Sequence, residues 1–118
     1  METKDAVAAL GALAQETRLA AFRALVEAGP AGIAAGALAA KLDVPPPTLS
    51  FHLTALVNAG LIGATRDGRS IVYAADFAAM NALLGFLTES CCGGDPRACL
   101  PAIRPPAKPR FARRRMPA

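Results

Sequence analysis

Apolar residues recur at helical spacing in five stretches of the chain, which predict five α-helices. The helices are expected over residues 5–14, 17–28 and 34–42, from the proline run 45–47 to Ala59-Gly60, and from an N-cap at Asp76 to Ser90. Thr17 is a possible N-cap of the second helix. Four of these helices carry clear apolar stripes: Val7, Leu10 and Leu13; Leu19, Phe22, Leu25 and Val26; Leu49, Leu53, Leu56 and Val57; Phe77, Met80, Leu83, Leu84 and Leu87.

A β-hairpin is predicted between the fourth and fifth helices. Asp67-Gly68 separates the runs 61–66 and 69–74, and such a dipeptide between two strand-like runs is a strong turn signal. Helices, a short turn, a helix with a polar outer face and then a hairpin are the order of a winged helix-turn-helix, a mostly α fold with a two-stranded wing. The fourth helix would enter the major groove of DNA, and Arg66 and Arg69 would reach phosphates or a narrow minor groove from the wing.

Charge divides the 118 residues unevenly. Residues 1–96 hold six Lys/Arg and nine Asp/Glu, whereas residues 97–118 hold seven Lys/Arg and no acid, so the net charge of +4 belongs to the tail. We expect a folded domain over 1–90, a thiol segment over 91–99 and a flexible Pro/Arg-rich tail over 100–118. The tail is either solvated or a nonspecific clamp on phosphates.

Apolar runs and cysteine usage bear on the location of the protein. No run approaches the roughly 18–20 apolar residues of a membrane span, and the acidic, polar start differs from a signal peptide. Three cysteines do not close a disulfide framework. We therefore expect a cytoplasmic protein with free thiols and no membrane contact.

Three stretches of the sequence resemble the ArsR/SmtB family of metal- and metalloid-responsive repressors. They are LGALAQETRLAAFRAL, LAAKLDVPPPTLSFHLTALVNAGLI and RDGRSIVYAA, and the resemblance covers about residues 5–90. It implies a homodimeric winged-helix repressor of double-stranded operator DNA, with the first and last helices in the dimer interface. The stripe of the fifth helix fits that role, because it is more apolar than a small domain needs on an exposed face.

Family members contact DNA from the start and middle of the fourth helix, and the matching positions here are Thr48, Ser50, Phe51 and His52. Thr48 and Ser50 can donate to phosphates or bases, and His52 can donate from either ring nitrogen. Other roles remain open at two of these positions: Thr48 as a helix N-cap, and Phe51 packed beneath the wing. We favour DNA contact over a passive surface role for His52.

All three cysteines lie within nine residues, at Cys91, Cys92 and Cys99, with Gly93 and Gly94 between them to let the chain turn back. Structural zinc usually takes four Cys or His ligands, and the chain has only one His, far from this cluster. Trivalent arsenic or antimony is satisfied by three sulfurs, so the ligand count favours As(III) or Sb(III) as an inducer, with no cofactor required.

The resemblance supports a thiol site, but one after the last helix and not in the third helix. Many arsenic-responsive members carry a Cys-Val-Cys site in the third helix, which the stretch GIAAGALAA lacks. Other members carry a Cys-Cys pair and a third Cys after the last helix, as this chain does. The acid/His zinc site of some members is also missing, because DFAAMNALLGFLTE has no His.

The thiols admit other interpretations. Cys91 and Arg97 have the Cys-x5-Arg spacing of phosphatase loops, but here a helix precedes the pair and Pro96 interrupts it, so we do not expect an enzyme. A disulfide between Cys99 and either Cys91 or Cys92 would make a redox-sensing regulator, and this is the main alternative. A cluster without function is the remaining one.

Overall fold

The computed structural model describes residues 1–90 and Gly93 of the chain. The three cysteines and the basic tail lie outside the described residues. Residues 1–90 contain five helices and three strands, and Met1–Leu87 forms one compact unit. In chain order the elements are α1 (Thr3–Leu13), α2 (Glu16–Ala28), β1 (Ile33–Ala34), α3 (Ala35–Leu42), α4 (Pro46–Asn58), β2 (Ile62–Asp67), β3 (Ser70–Ala75) and α5 (Phe77–Leu87).

The five predicted helices are present, and local chemistry explains most of their ends. Gly29 stops α2 with a φ of 82°, and Gly60 follows α4 with a φ of 80°. Asp76 caps α5 as predicted, because its Oδ1 accepts a hydrogen bond of 3.0 Å from the Ala79 amide. The last helix ends at Leu87, three residues before the expected Ser90.

Two threonines that the sequence allowed as helix caps, Thr17 and Thr48, are not caps. Gln15 is the N-cap of α2, where its side chain accepts a 2.9 Å hydrogen bond from the Arg18 amide, so Thr17 lies inside the first turn. The Gln15 side chain is long enough to reach the Arg18 amide, which is the amide that a Ser or Thr at the N-cap position commonly binds. Pro45 is the N-cap of α4, with proline in the first turn, so the alternative role of Thr48 as a cap does not hold.

The predicted hairpin is part of a three-stranded antiparallel sheet in the order β1-β3-β2. Asp67 pairs with Ser70, so the turn residues are Gly68 and Arg69, one position later than Asp67-Gly68. Gly68 has a φ of 64° and Arg69 has no positive φ, which matches a type II′ turn with glycine first. Tyr73 of β3 pairs with Ile33 across the sheet.

Strand β1, which the sequence analysis missed, depends on the glycine that precedes it. Gly32 has a φ of 75°, and a Cβ at this position would overlap the carbonyl oxygen of Tyr73. Only glycine therefore lets the loop after α2 come this close to β3. Two residues are too short a run for hydrophobic alternation to reveal.

The core is built mainly from leucines and alanines, and six of the leucines are less than 2% exposed. The predicted stripe of α4 is confirmed: three of its members, Leu49, Leu53 and Leu56, are buried, and Val57 is half-buried. On α5, only Leu83 of the predicted stripe is buried. The six leucines are Leu25, Leu38, Leu49, Leu53, Leu56 and Leu61.

Helix α1 buries its small residues rather than its large ones. Ala6, Ala9 and Ala12 belong to the core, whereas Val7 is 62% exposed and Leu10 is 43% exposed. The alanine face lets α1 pack closely against α2, α4 and α5. Among the described residues, no helix has the length and apolar character needed to cross a membrane.

Candidate nucleic-acid interface

Helices α3 and α4 form the helix-turn-helix. Asp43 ends α3 in the left-handed conformation, with φ 56° and ψ 48°, and its amide donates to Ala39 and Ala40 carbonyl oxygens. The chain then turns through Val44 and enters α4 at Pro45, whose fixed φ suits the start of a helix. Because the two helices pack together and α4 buries its leucines, the opposite face of α4 is presented outward.

That outward face carries the residues singled out from the sequence. Thr48, Ser50 and Phe51 are exposed, and His52 is half-buried. Phe51 is 68% exposed, so it does not pack beneath the wing. The hydroxyl of Thr54 donates a 2.9 Å hydrogen bond to the Ser50 carbonyl oxygen and is therefore engaged within the helix.

An arginine that the sequence analysis did not select belongs to this face. Arg18, on α2, donates from Nε to Nδ1 of His52 over 3.1 Å. Its guanidinium carbon lies 5.9 Å from the centre of the Phe51 ring, within cation–π range. The Phe51 and His52 rings meet edge-on, with centroids 5.5 Å apart and planes at 69°. Arg18 is 34 residues from His52 in the chain, so no local motif signals the contact.

The contact restricts what His52 can do. A guanidinium has donors and no acceptor, so Nδ1 must be the unprotonated nitrogen and the ring proton must be on Nε2. The expectation that either ring nitrogen can donate is therefore corrected, because in this arrangement only Nε2 is a donor. A neutral imidazole with its donor fixed can give one directed hydrogen bond to a phosphate or a base edge.

The wing arginines lie at the end of the hairpin. Arg69 occupies the turn itself, and Arg66 lies opposite Ile71 in the paired strands. Both arginines are exposed. Arg66 and Arg69 thus offer two cations at the end of the sheet, while α4 offers mostly neutral donors and one exposed aromatic ring.

The predicted metalloid ligands Cys91, Cys92 and Cys99 lie outside the described residues. Within the described part of the chain, no group of three or more His, Cys, Asp or Glu side chains is arranged to hold a metal ion. The thiol site therefore stays a prediction.

Comparison with known proteins agrees with this geometry. A helix-turn-helix domain model matches residues 13–62. An ArsR-like transcriptional regulator from Rhodococcus sp. RHA1 is 30% identical, with a TM-score of 0.67, over 86% of this chain and 93% of its own. NolR from Sinorhizobium fredii is 33% identical, with a TM-score of 0.58, over 73% of this chain and 83% of its own.

A third similar structure is the homodimeric winged helix-turn-helix DNA-binding domain Mb0332 from Mycobacterium bovis, described as a possible ArsR-family regulator. It is 25% identical, with a TM-score of 0.59, over 78% of this chain and 85% of its own. The comparison with curated proteins yields no match.

The fold and the outward face of α4 define a winged helix-turn-helix protein. The chain belongs to the ArsR family of transcriptional regulators. The resemblance in the three sequence stretches is thereby confirmed at the level of family and fold.

Proposed function

We propose that this protein is an arsenite-responsive transcriptional repressor that binds operator DNA as a homodimer and releases it when As(III) or Sb(III) binds Cys91, Cys92 and Cys99. The observation that carries the proposal is the joining of a winged helix-turn-helix to three thiols within nine residues. The protein acts by binding rather than catalysis, requires no cofactor and works in the cytoplasm, where thiols stay reduced.

Operator binding is assigned to α4 and the wing. Thr48, Ser50 and Phe51 are exposed on the side of α4 opposite the buried leucines, which is the side that faces the major groove in helix-turn-helix proteins. Arg66 and Arg69 supply the charge for phosphate contacts. Residues 1–96 are net acidic, so recognition depends on these placed groups and not on bulk charge.

Homodimerisation is assigned to α1 and α5. The two helices pack against each other, and both expose large apolar side chains: Val7 and Leu10 on α1, and Leu87, 55% exposed, on α5. An apolar surface of this kind on a small domain marks an interaction site. Homodimerisation of the similar Mycobacterium bovis domain supports a second copy of this chain as the partner.

The donor set of the thiol segment fits a trivalent metalloid. Three thiolates satisfy As(III) or Sb(III), and no described residue need join them. Cys91 and Cys92 follow in the chain shortly after α5, the helix that ends at Leu87 and is assigned to the dimer interface. If metalloid weakens operator binding by some factor, operator DNA must weaken metalloid binding by the same factor.

The inducer is tested with an operator that the reduced dimer selects from random-sequence DNA. Under strict anaerobiosis, arsenite is expected to release this DNA while peroxide leaves it bound. Cys99→Ser should lose the arsenite response and keep operator affinity. Release by oxidant alone supports the redox alternative and overturns metalloid sensing, and loss of DNA binding in Cys99→Ser makes the cysteine structural.

The DNA-binding surface is tested separately through salt. Arg69→Ala should reduce the slope of log affinity against log salt by about 0.9, the amount expected for one lost phosphate contact. Arg23→Ala, at an exposed position on α2, removes an equal charge outside the helix-turn-helix and the wing and serves as the matched control. Equal slopes for native protein and Arg69→Ala would exclude Arg69 as a phosphate contact.

A further inference from the structure

We infer that Arg18 is a positioning residue for DNA recognition, holding His52 in the single tautomer that points a donor outward from α4. The inference rests on the proposed function, because it takes α4 as the recognition helix. It adds a residue from α2, outside the helix-turn-helix and the wing.

The geometry of the contact selects one ring nitrogen. Arg18 Nε donates to His52 Nδ1 over 3.1 Å, between partly buried side chains. A free imidazole exchanges between two tautomers, and only the one protonated at Nε2 can accept here. The hydrogen bond therefore stabilises the tautomer in which Nε2–H is the only donor of the ring, and it orients the ring at the same time.

Phe51 gives the arginine a second contact on α4. The guanidinium carbon lies 5.9 Å from the Phe51 ring centre, and the ring contacts His52 edge-on. Arg18, Phe51 and His52 thus form one packed unit, with Phe51 exposed on α4 and Arg18 on the supporting helix. Because His52 contacts both Arg18 and Phe51, its side chain loses little additional freedom when DNA binds, which favours affinity.

The role assigned to Arg18 is distinct from a phosphate contact. A phosphate contact depends on the charge of Arg18, whereas positioning depends on an N–H donor at the place of Nε. Arg18→Gln separates the two, because the Gln side-chain nitrogen is as many bonds from the backbone as arginine Nε and is a neutral donor. Arg18→Leu removes both properties.

The first measurement is made on protein without DNA. His52 is the only histidine, so two-bond ¹H–¹⁵N spectra report on it without assignment. We expect native protein and Arg18→Gln to show a hydrogen-bonded, unprotonated Nδ1 and a protonated Nε2. In Arg18→Leu, the ¹⁵N chemical shift of Nδ1 should move towards that of an unprotonated nitrogen that accepts no hydrogen bond. The matched control Arg23→Leu, at an exposed position, should give the native spectrum. An unchanged spectrum in Arg18→Leu overturns the inference.

The second measurement is operator affinity. Arg18→Leu should weaken binding about three- to tenfold, the worth of one hydrogen bond, and Arg18→Gln should retain most of the native affinity. In a His52→Ala background, Arg18→Leu should cause little further loss of operator affinity. The slope of log affinity against log salt should be the same for Arg18→Leu as for native protein. Equal losses in Arg18→Leu and Arg18→Gln with a slope reduced by about 0.9 would make Arg18 a phosphate contact and overturn positioning.

The outcomes separate the inference from the proposed function. If native protein selects no DNA sequence, the proposed function fails and the DNA role of Arg18 fails with it. If native protein selects an operator and Arg18→Leu binds it equally well, only the inference fails. Circular dichroism of each variant checks folding, and Arg18→Gln supplies the comparison if Arg18→Leu is unfolded.

Discussion

Helices α1 and α4 carry similar apolar stripes in the sequence but bury different faces. On α4 the leucines themselves are buried, with Leu49, Leu53 and Leu56 at most 1% exposed. On α1 the alanines are buried, and the large residues Val7 and Leu10 lie at the surface. The surrounding elements explain the difference, since α1 packs closely on α2, α4 and α5 and only small side chains fit there.

The comparison shows that a stripe identifies a face that needs a partner without identifying the partner. The partner of the α4 stripe is the hydrophobic core of the same chain. On α1, Leu13 packs against the core, whereas Val7 and Leu10 are exposed and would be covered by the second copy in the proposed homodimer. Substitutions on the buried and exposed faces of the two helices test this division.

The leucine face of α4 should carry much of the stability of the domain. Leu53→Ala is expected to lower the free energy of unfolding by about 2–5 kcal/mol, because a fully buried leucine leaves a cavity. Chemical denaturation measures the change. Leu19→Ala, the same substitution at a residue 45% exposed on α2, should cost far less, and equal losses at the two sites would contradict the assignment of the core.

The exposed stripe of α1 should control assembly. Combining Leu10→Glu with Leu87→Glu is expected to raise the dimer Kd roughly 100-fold, about 3 kcal/mol, because charges then enter a desolvated contact. Sedimentation measures the Kd, and circular dichroism should remain native. Ile71→Glu, at another exposed apolar residue but on β3, is the control, and a dimer unaffected by the pair would remove α1 and α5 from the interface.

The alanine face of α1 should tolerate no added bulk. Ala9→Leu is expected to lower the free energy of unfolding by about 1–3 kcal/mol, because Ala9 is 1% exposed and the helices around it would have to separate. Ala8→Leu, one residue earlier and exposed, should be nearly neutral in the same thermal melts. Similar melting temperatures for the two variants would mean that α1 is not closely packed.

Loss of a single DNA contact on the outward face of α4 should have the smallest effect, a modest loss of affinity confined to one operator position. Phe51 is apolar and exposed on the proposed recognition helix, where its ring can pack on a thymine methyl group. Replacing operator thymines one at a time by deoxyuridine should weaken native binding about fourfold at one position, about 0.8 kcal/mol. Phe51→Ala should bind the thymine and deoxyuridine operators equally well. If native protein binds every substituted operator with unchanged affinity, the contact between Phe51 and a thymine methyl group is excluded.

Much of the fold could be predicted because its signals are local. Gly29 and Gly60 end helices through their own backbone freedom, Asp76 caps α5 through its own side chain, and the hairpin follows from glycine at residue 68. The error of one residue in the turn came from assigning Asp67 to the turn when it pairs with Ser70. Each of these features depends on a few neighbouring residues, which is why sequence patterns detect them.

The candidate site was only partly predictable for the opposite reason. Thr48, Ser50 and Phe51 lie on the outward face of α4 because helical spacing opposes them to the leucines, and that spacing is visible in the sequence. Arg18 has no such signal, since α2 and α4 must pack before its Nε meets His52. The role of Cys91, Cys92 and Cys99 still depends on their number and spacing alone.

By itself, the sequence determined the number and order of the helices, the buried stripe of α4 and the existence of the hairpin, because periodicity and turn chemistry act over short distances. Only the tertiary structure decided that α1 buries alanines, that Gly32 admits a third strand beside Tyr73 and that Arg18 fixes the tautomer of His52. These outcomes depend on how closely distant elements approach one another, and that distance is set by packing in three dimensions.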